Sequence, residues 1–456
     1  MTSYNGLNRE KTFSSLWFLV FMIYFCYGIM PVNIDNLLTN LPGTTKLGIG
    51  ICAASYLLST SISLIFFGYY EDKIIDKKIR KKVFVCTNFL WVIAYGLISI
   101  SINFHFYLFF TIIAAIGIGA FIPLGFSIIG DFYSPKNRGK KYGSIHFSLT
   151  IGTGLGIIIG GLLGNYAGPN GWRFAYAISF IFGLIAVINY FLKGMDPKRG
   201  MAEPEFKDFK EDFIYDYRID IKSLGVILKK KSVASILIYT LFAGIAISTI
   251  GAWGIFYLTS KFSGVYAEMS AAGLYLLTGV GILPGAVLGG RLGDSLYHSG
   301  KIRGRIYLTS IGLISGIICL MIFFLLPISA TSPLELVINW VFFLIIGFLG
   351  YFLVSLSTGN IFAIYSELVV PEARSTVNSF NRIMSNIGGI IGNLIFSGLI
   401  ENDNSLLSYA MFFILLCWMG GTSLWIITYI YFPKEFKDYR KLMDERKNEI
   451  VKNNNK

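Results

Sequence analysis

Two stretches of the sequence share one spacing: DFYSPKNR at residues 131–138 and ELVVPEAR at residues 367–374. Each begins with an acid, places a proline four residues later and ends with an arginine three residues after the proline. The two stretches are 236 residues apart, and long apolar segments flank both of them. This repeated signature predicts a chain built from two related halves.

The composition predicts that these halves lie in a membrane. Of 456 residues, 54% are hydrophobic and only 14% are charged, which nearly excludes a water-soluble globular enzyme. A membrane-spanning helix needs about 20 mostly apolar residues. Twelve such segments occur, at residues 15–38, 47–70, 83–103, 106–130, 139–163, 172–192, 232–260, 268–290, 306–326, 334–366, 375–400 and 406–432. The predicted fold is all-α and integral to the membrane, with twelve transmembrane helices in two pseudo-symmetric six-helix bundles.

The distribution of positive charge predicts the orientation of these helices. The chain has 39 Lys and Arg residues and a net charge of +13. All but four of the basic residues fall on one face of the predicted membrane protein, and the exceptions are Lys46, Arg173, Lys261 and Arg382. Basic loops mark the cytoplasmic side. We therefore expect a multi-pass protein of the cell membrane with both termini in the cytoplasm, and we interpret the positive excess as contact with membrane lipids rather than with nucleic acid.

The polar stretch between the sixth and seventh segments predicts a domain boundary. We expect an N-terminal six-helix bundle at residues 1–193, a cytoplasmic linker at 194–231, a C-terminal six-helix bundle at 232–433 and a basic cytoplasmic tail at 434–456. Within the linker, Ile221, Leu224 and Leu228 have helical spacing beside three lysines. This pattern is compatible with an amphipathic helix on the inner leaflet or with a solvated linker. We expect a monomer.

A second repeated motif follows the second and eighth segments. Gly68 and Asp72 in the first half correspond to Gly290 and Asp294 in the second, and a basic cluster follows each pair. Six spans, a cytoplasmic linker and six more spans with this repeated motif resemble the major facilitator superfamily of transporters. Within it, GIG at residues 117–119, among other short motifs, is similar to the spinster-like branch, whose members are linked to lysolipids and sphingolipids.

The resemblance implies a solute site at the bilayer midplane, lined by the first, fourth, seventh and tenth spans. In these spans we looked for polar and aromatic side chains. The candidate substrate-binding residues in the first and seventh spans are Tyr27, Asn33, Asp35, Thr249, Trp253 and Tyr257. The last three are spaced by four residues on one helical face, a pattern that also occurs in aromatic packing between helices.

Ionisable residues at membrane depth are costly and often functional. His146 and Arg382 occupy equivalent positions in the repeat, each eight residues beyond the arginine of the signature, or about 12 Å along a helix. We expect Arg382 to bind an anionic group of the substrate, and His146 or Asp35 to exchange a proton. Alternatively, Arg382 extends to the membrane surface or bonds neighbouring asparagines, and Asp35 is an exposed carboxylate at a helix end.

The family resemblance also implies gating by the charged loops on the cytoplasmic side. There each carboxylate of the Gly-x-x-x-Asp motif is expected to meet the positive end of a helix dipole. The simpler alternative is a helix end with solvated charges. The candidate gating residues are Asp72, Arg80, Asp131, Arg138, Asp294, Glu367 and Arg374.

Other classes of membrane protein are disfavoured. The glycines between Gly152 and Gly164 predict close helix packing rather than a phosphate loop, because no strand precedes them. The three histidines lie too far apart in the predicted topology to form an enzyme site, so no catalytic residue, metal or cofactor is expected. We predict a secondary transporter of a small or amphipathic organic solute, working by alternating access and coupled to protons or another ion. A lysolipid-type transporter and a non-transporting solute sensor are the alternatives.

Overall fold

The computed structural model describes residues 6–73, 77–133, 135–197, 221–262, 267–327 and 333–454. Within the helices it leaves some side chains undescribed, among them those of Asp72, Arg138 and His146. The described segments form eighteen α-helices. They are α1 Gly6–Val32, α2 Ile34–Asn40, α3 Lys46–Lys73, α4 Lys77–Ser99, α5 Phe104–Gly119, α6 Phe121–Phe132, α7 Pro135–Tyr166, α8 Gly171–Lys193, α9 Ile221–Leu228, α10 Lys231–Thr259, α11 Ala267–Gly279, α12 Ile282–His298, α13 Gly304–Leu325, α14 Pro333–Ser355, α15 Ser357–Leu368, α16 Pro371–Ile400, α17 Leu407–Thr422 and α18 Trp425–Asn454.

The described helices include twelve that are long and apolar enough to cross a membrane. The twelve predicted spans are therefore confirmed. The fourth and tenth spans each consist of two helices in sequence, α5 with α6 and α14 with α15. Their breaks fall at Ala120 and Leu356, which are 236 residues apart, so the break follows the same repeat as the signature.

The first span ends at a polar break. Pro31 lies inside α1, and proline cannot donate a backbone hydrogen bond. The backbone N–H of Asn33 bonds Met30 O instead of continuing the helical pattern, and the Asn33 side-chain amide donates to Ile29 O at 2.9 Å. Asn33 thus satisfies a carbonyl that the break would leave without a partner, and α2 begins at the next residue.

Glycines bring helices into backbone contact at equivalent places in the two halves. A Cβ added to Gly152 or Gly156 of α7 would lie within 3.0 Å of a backbone carbonyl of α1, at Phe21 or Phe25. The glycines at 388 and 392 of α16 make the matching contacts with the carbonyls of residues 241 and 245 of α10. Small residues let membrane helices approach this closely. The contacts support the prediction that the glycines of α7 serve packing.

A second row of glycines lies on α12. Gly281 lies directly before α12, and Gly285, Gly289 and Gly293 follow within it at intervals of four residues. A Cβ on any of them would overlap the tenth span. The atoms that would be overlapped belong to residues 348, 352, 356 and 360, which have the same spacing of four. One glycine per turn therefore packs closely against the tenth span, and we call this row the α12 glycine ridge.

Contacts between Cα atoms divide the chain into two compact units. Unit 1 contains Met1–Glu211, Ala252–Ser260 and Gly264–Ala272, and unit 2 contains Asp212–Gly251, Lys261–Ser263 and Gly273–Lys456. Residues 198–220 of the predicted linker lie outside the described residues. The last part of the linker forms the helix α9, as its apolar spacing predicts. The domain boundaries at 193, 231 and 433 and the inner-leaflet role of α9 stay predictions.

Candidate functional site

Arg80, near the start of α4, is the centre of an ionic cluster in unit 1. Its Nη1 donates to Asp131 Oδ2 at 2.8 Å and its Nε donates to Asp196 Oδ1 at 2.7 Å. Its Nη2 also bonds Asp196 and donates to Pro197 O at 3.0 Å. The side chain of Arg80 is 3% exposed, and those of Asp131 and Asp196 are 12% and 5% exposed. Two carboxylates thus neutralise one buried guanidinium, which uses its planar fork of donors.

The local structure after α8 brings Asp196 to this cluster. The helix ends at Lys193, and Gly194 donates its N–H to Tyr190 O at 2.7 Å. A Cβ on Gly194 would lie 2.5 Å from the same carbonyl, so this tight turn needs a residue without a side chain. Asp196 was not among the functional residues predicted from the sequence. The signal was an Asp-Pro pair directly after the sixth span.

Arg305, at the start of α13, forms the corresponding cluster in unit 2. Its Nη2 lies 2.8 Å from Asp294 Oδ1 and its Nε lies 3.1 Å from Glu367 Oε1. The side chains of Arg305 and Glu367 are 9% and 13% exposed, whereas that of Asp294 is 63% exposed. Arg305 also donates to Asn360 Oδ1 at 3.4 Å, and the Asn360 amide donates to Gly289 O at 3.0 Å on the α12 glycine ridge.

The two clusters follow the internal repeat. In each half, an arginine at the start of the third span bonds the acid of the signature at the end of the fourth span. The sequence motifs predicted Arg80, Asp131, Asp294 and Glu367 as gating residues, whereas Arg305 was only one member of the basic cluster that follows Asp294. The equivalent place of Arg80 and Arg305 at the start of their spans was the signal that was available.

Arg374, the arginine of the second signature, has a different set of contacts. It donates to Ser366 O at 2.8 Å and to Val369 O at 3.3 Å, carbonyls at the end of α15. It also donates to the Tyr439 hydroxyl of α18 at 3.1 Å. Arg374 therefore closes the turn between α15 and α16, with α18 beside it. The side chains of Asp72 and Arg138, also predicted to act in gating, lie outside the described residues.

The candidates in the first span differ in accessibility. Tyr27 is half-buried and its ring centroid lies 5.9 Å from that of Tyr56 on α3. Asn33 is fully buried, and its amide donates to Gly160 O at 3.1 Å as well as to its own helix. Asp35 is half-buried on α2, just beyond the span, and burial raises the pKa of its carboxyl to about 6. The amide of Asn33 is used in packing, while Tyr27 and Asp35 are accessible.

The candidates on α10 are buried. Thr249 is 0% exposed, and its hydroxyl donates to Ile245 O at 2.7 Å beside Gly392. Trp253 and Tyr257 are at most 1% exposed, and the Trp253 ring packs edge-on against Phe256. The burial of all three side chains, and the closeness of Thr249 to Gly392 of α16, favour the interpretation of this face as packing between helices.

The side chain of Arg382 is solvent-accessible, although it lies on the face of α16 that is otherwise buried. At 100° per residue, Asn386, Asn393 and Phe396 lie within about 40° of its direction, and all three are buried. The exposed apolar side chains of α16, including those at 387, 391 and 394, lie on the opposite face. Arg382 makes no hydrogen bond or ion pair with a residue that the structure describes. His146, its partner in the repeat, has an undescribed side chain.

A comparison with protein families agrees with this architecture. The family model of the Major Facilitator Superfamily matches residues 16–393, which is most of the chain. The chain belongs to the Major Facilitator Superfamily. Members of this family are membrane transporters and not enzymes, so the chain has the multi-pass fold of a membrane transporter, and its resemblance to the family is confirmed.

Curated relatives include spinster proteins. "Protein spinster homolog 1" of Xenopus laevis is 25% identical over 372 residues, which cover 78% of this chain and 66% of that protein. The chain thus spans slightly less than two thirds of the length of this relative. The "Sphingosine-1-phosphate transporter SPNS2" of Danio rerio is 26% identical over 156 residues, covering 34% of this chain and 30% of that protein.

Solved structures share the fold. A bacterial homologue of the human lysosomal transporter Spinster, in an inward-facing and occupied conformation, has a TM-score of 0.71 at 17% identity, covering 94% of this chain and 98% of that chain. A D-xylose-proton symporter has a TM-score of 0.68 at 14% identity, covering 91% of this chain and 97% of that chain. At these identities the structures show the fold alone.

Proposed function

We propose that this transporter moves an amphipathic organic solute with an anionic head group by alternating access, driven by a proton or ion gradient. Arg382 carries the proposal. It is a charged side chain within the eleventh span. It is solvent-accessible on the otherwise buried face of α16, and it bonds no residue that the structure describes. A charge in a membrane span costs at least about 2.5 kcal/mol on insertion scales, so its retention favours a ligand-binding role. A phosphate or carboxylate matches its guanidinium.

Proton coupling is proposed at Asp35 and His146. The pKa of Asp35 near 6 lets its carboxyl gain and lose a proton close to physiological pH. His146 occupies the repeat position of Arg382, and histidine is a common proton carrier within membrane spans. A proton carried by either group would offset the charge of an anionic solute as it crosses the membrane.

The clusters around Arg80 and Arg305 are proposed to act as gating elements. Each ties together the ends of two spans within one unit, so each half is fixed at that end as a single body. Alternating access in such folds is largely rigid-body movement of one half against the other. Asp72, near the end of α3, and Asp294, near the end of α12, are proposed to stabilise one of the two access states.

The relatives support a lipid-like solute over a sugar. One of them is named a sphingosine-1-phosphate transporter, and that ligand combines a phosphate with an alkyl chain. A lysolipid-type substrate is therefore the finer candidate within this proposal. The alternative is a non-transporting sensor with the same fold, and a flux measurement distinguishes it from a transporter.

Proteoliposomes with an imposed pH gradient test the proposal. The full chain is assayed for flux of a lysophospholipid, a fatty acid, an organic anion, a sugar and a cationic amphiphile. We expect flux of the anionic amphiphiles, with apparent affinity reduced tenfold or more in Arg382→Gln, because one charge-assisted contact is worth about 1.5–3 kcal/mol. Arg291→Gln, an exposed arginine of α12, is the matched control.

Two results would overturn the proposal. The absence of flux for every solute contradicts transport of these classes and favours the sensor. Equal affinities in Arg382→Gln and the wild type contradict the assignment of Arg382 while the transporter fold stands.

A further inference from the structure

A cavity of about 570 Å³ lies in unit 2 where α12 ends and α13 begins. Its walls come from the loop between these helices, from the first turn of α13 and from the first third of α18. The lining residues that matter for its chemistry are Lys301, Arg303, Gly304, Tyr307, Tyr429 and Pro433. None of them belongs to the ionic clusters or to the candidate solute site.

The polar part of this cavity is cationic. Lys301 and Arg303 are both exposed, and neither forms an ion pair with an acid that the structure describes. The guanidinium carbon of Arg303 lies 4.7 Å from the ring centroid of Tyr429, which holds the charge over the cavity wall. Two positive charges thus remain available to a ligand.

The backbone adds to this positive field. Gly300, with φ of +78°, ends α12 and turns the chain, and α13 begins four residues later at Gly304. The residue that precedes α13 is Arg303, and no side chain caps the N-terminus of the helix. The first N–H groups of a 22-residue helix therefore contribute the positive end of its dipole beside the two cations.

The other part of the cavity is apolar and continues onto the membrane-facing surface. Tyr307 is 61% exposed and Tyr429 is 41% exposed, and tyrosine is common at membrane interfaces. Beyond them, Ile311, Ile426 and Ile430 are 46%, 63% and 56% exposed. Since the ninth span begins at Gly304, the cationic part lies at the membrane surface and the apolar part lies along the acyl chains.

We infer that this cavity is a binding site for an anionic phospholipid. Lys301 and Arg303 bind the phosphate of the head group, and an acyl chain lies on Tyr307 and on the isoleucines of α18. Charge complementarity and the continuous apolar surface select a lipid over a soluble anion, and basic pockets at helix ends are a known kind of site for acidic head groups. The site is separate from the transported solute, so it stands or falls independently of the proposed function.

Native mass spectrometry of the detergent-purified full chain tests this site. Palmitoyl-oleoyl phosphatidylglycerol is titrated against palmitoyl-oleoyl phosphatidylcholine, and retained lipids are counted. We expect one tightly retained phosphatidylglycerol, with its affinity reduced at least tenfold in Lys301→Gln/Arg303→Gln. Lys434→Gln/Lys437→Gln removes the same charge from exposed positions of α18 outside the cavity, and we expect less than a twofold change.

Two further measurements separate the contribution of the acyl chain from that of the head group. Tyr307→Ser keeps both cations but shortens the apolar wall. It should weaken the binding of the lipid without affecting the thermal midpoint of the protein. An equal loss of affinity for phosphatidylglycerol in both double variants would show nonspecific charge attraction, and it would overturn the proposed site. Displacement of the lipid by inorganic phosphate at millimolar concentration would also overturn it, because the acyl chain would then contribute nothing.

Discussion

A buried arginine with two acidic partners, such as Arg80, is sensitive to the loss of any member of the cluster. Arg80→Gln leaves Asp131 and Asp196 buried without their countercharge, and breaking a buried pair in this way costs about 3–5 kcal/mol. Asp196→Asn keeps one carboxylate beside the guanidinium, so we expect a smaller cost of about 1–3 kcal/mol. Thermal unfolding in detergent measures both, with the exposed Lys82→Gln as control. Equal stability of Arg80→Gln and the control would contradict the importance of the cluster.

Asp35 makes stability depend on pH, and the sign follows from its raised pKa. The pKa rises from an ordinary value of 3.8 to about 6 in the folded protein. Between these values the folded state holds a proton that the unfolded state has lost, so stability falls as the pH rises through this window. Asp35→Asn removes the titration. We expect its thermal midpoint to match the wild type near pH 4 and to exceed it above pH 6.

The comparison for Asp35 needs an exposed carboxylate. Asp444 on α18 is exposed, so Asp444→Asn should leave the slope of thermal midpoint against pH unchanged. A slope that is the same in Asp35→Asn and in the wild type would show that another group titrates in this window.

At the scale of the elements, the α12 glycine ridge sets how closely the eighth and tenth spans pack. In Gly289→Ala the new Cβ would overlap the carbonyl oxygen of Leu356, so the helices must separate. Overpacking of this kind typically costs about 1–3 kcal/mol. A Cβ added to the adjacent Gly290 would have no atom within 4 Å, so Gly290→Ala should be neutral or slightly stabilising through helix propensity. Thermal unfolding of the two variants measures the difference, and similar midpoints would contradict the ridge.

The elements were predictable where a periodic signal existed. Twelve apolar segments, the repeat and the packing role of the glycines follow from spacing alone, because length and hydrophobicity decide membrane spans. The ionic clusters were predicted only in part. Asp196 is 116 residues from Arg80 and reaches it through a turn at Gly194. No local sequence pattern predicts a contact between residues so far apart in the chain. Burial of Asn33 and Thr249 also depends on which helix lies opposite, which spacing on one helix leaves undetermined.

At the scale of the whole molecule, the two halves use the same devices at corresponding places. Each has glycines that pack its fifth span on its first, a break in its fourth span and an arginine that bonds the signature acid. Additions in unit 2 include the α12 glycine ridge and the long α18, which bonds Arg374 through Tyr439. We interpret the shared devices as the common scaffold and the additions as specialisation of the second half.

Topology gives a prediction for the entire chain. The distribution of basic residues predicts that both termini lie on the cytoplasmic side, because cytoplasmic loops retain Lys and Arg. In a variant with the five native cysteines replaced by alanine, Asn402→Cys lies in the loop between the last two spans and Lys441→Cys lies on the exposed end of α18. A membrane-impermeant maleimide added to intact cells should label only the cysteine at position 402, and permeabilisation should expose the one at 441. The reverse labelling pattern would show the opposite orientation. Labelling of both cysteines in intact cells would contradict a membrane span between these two positions.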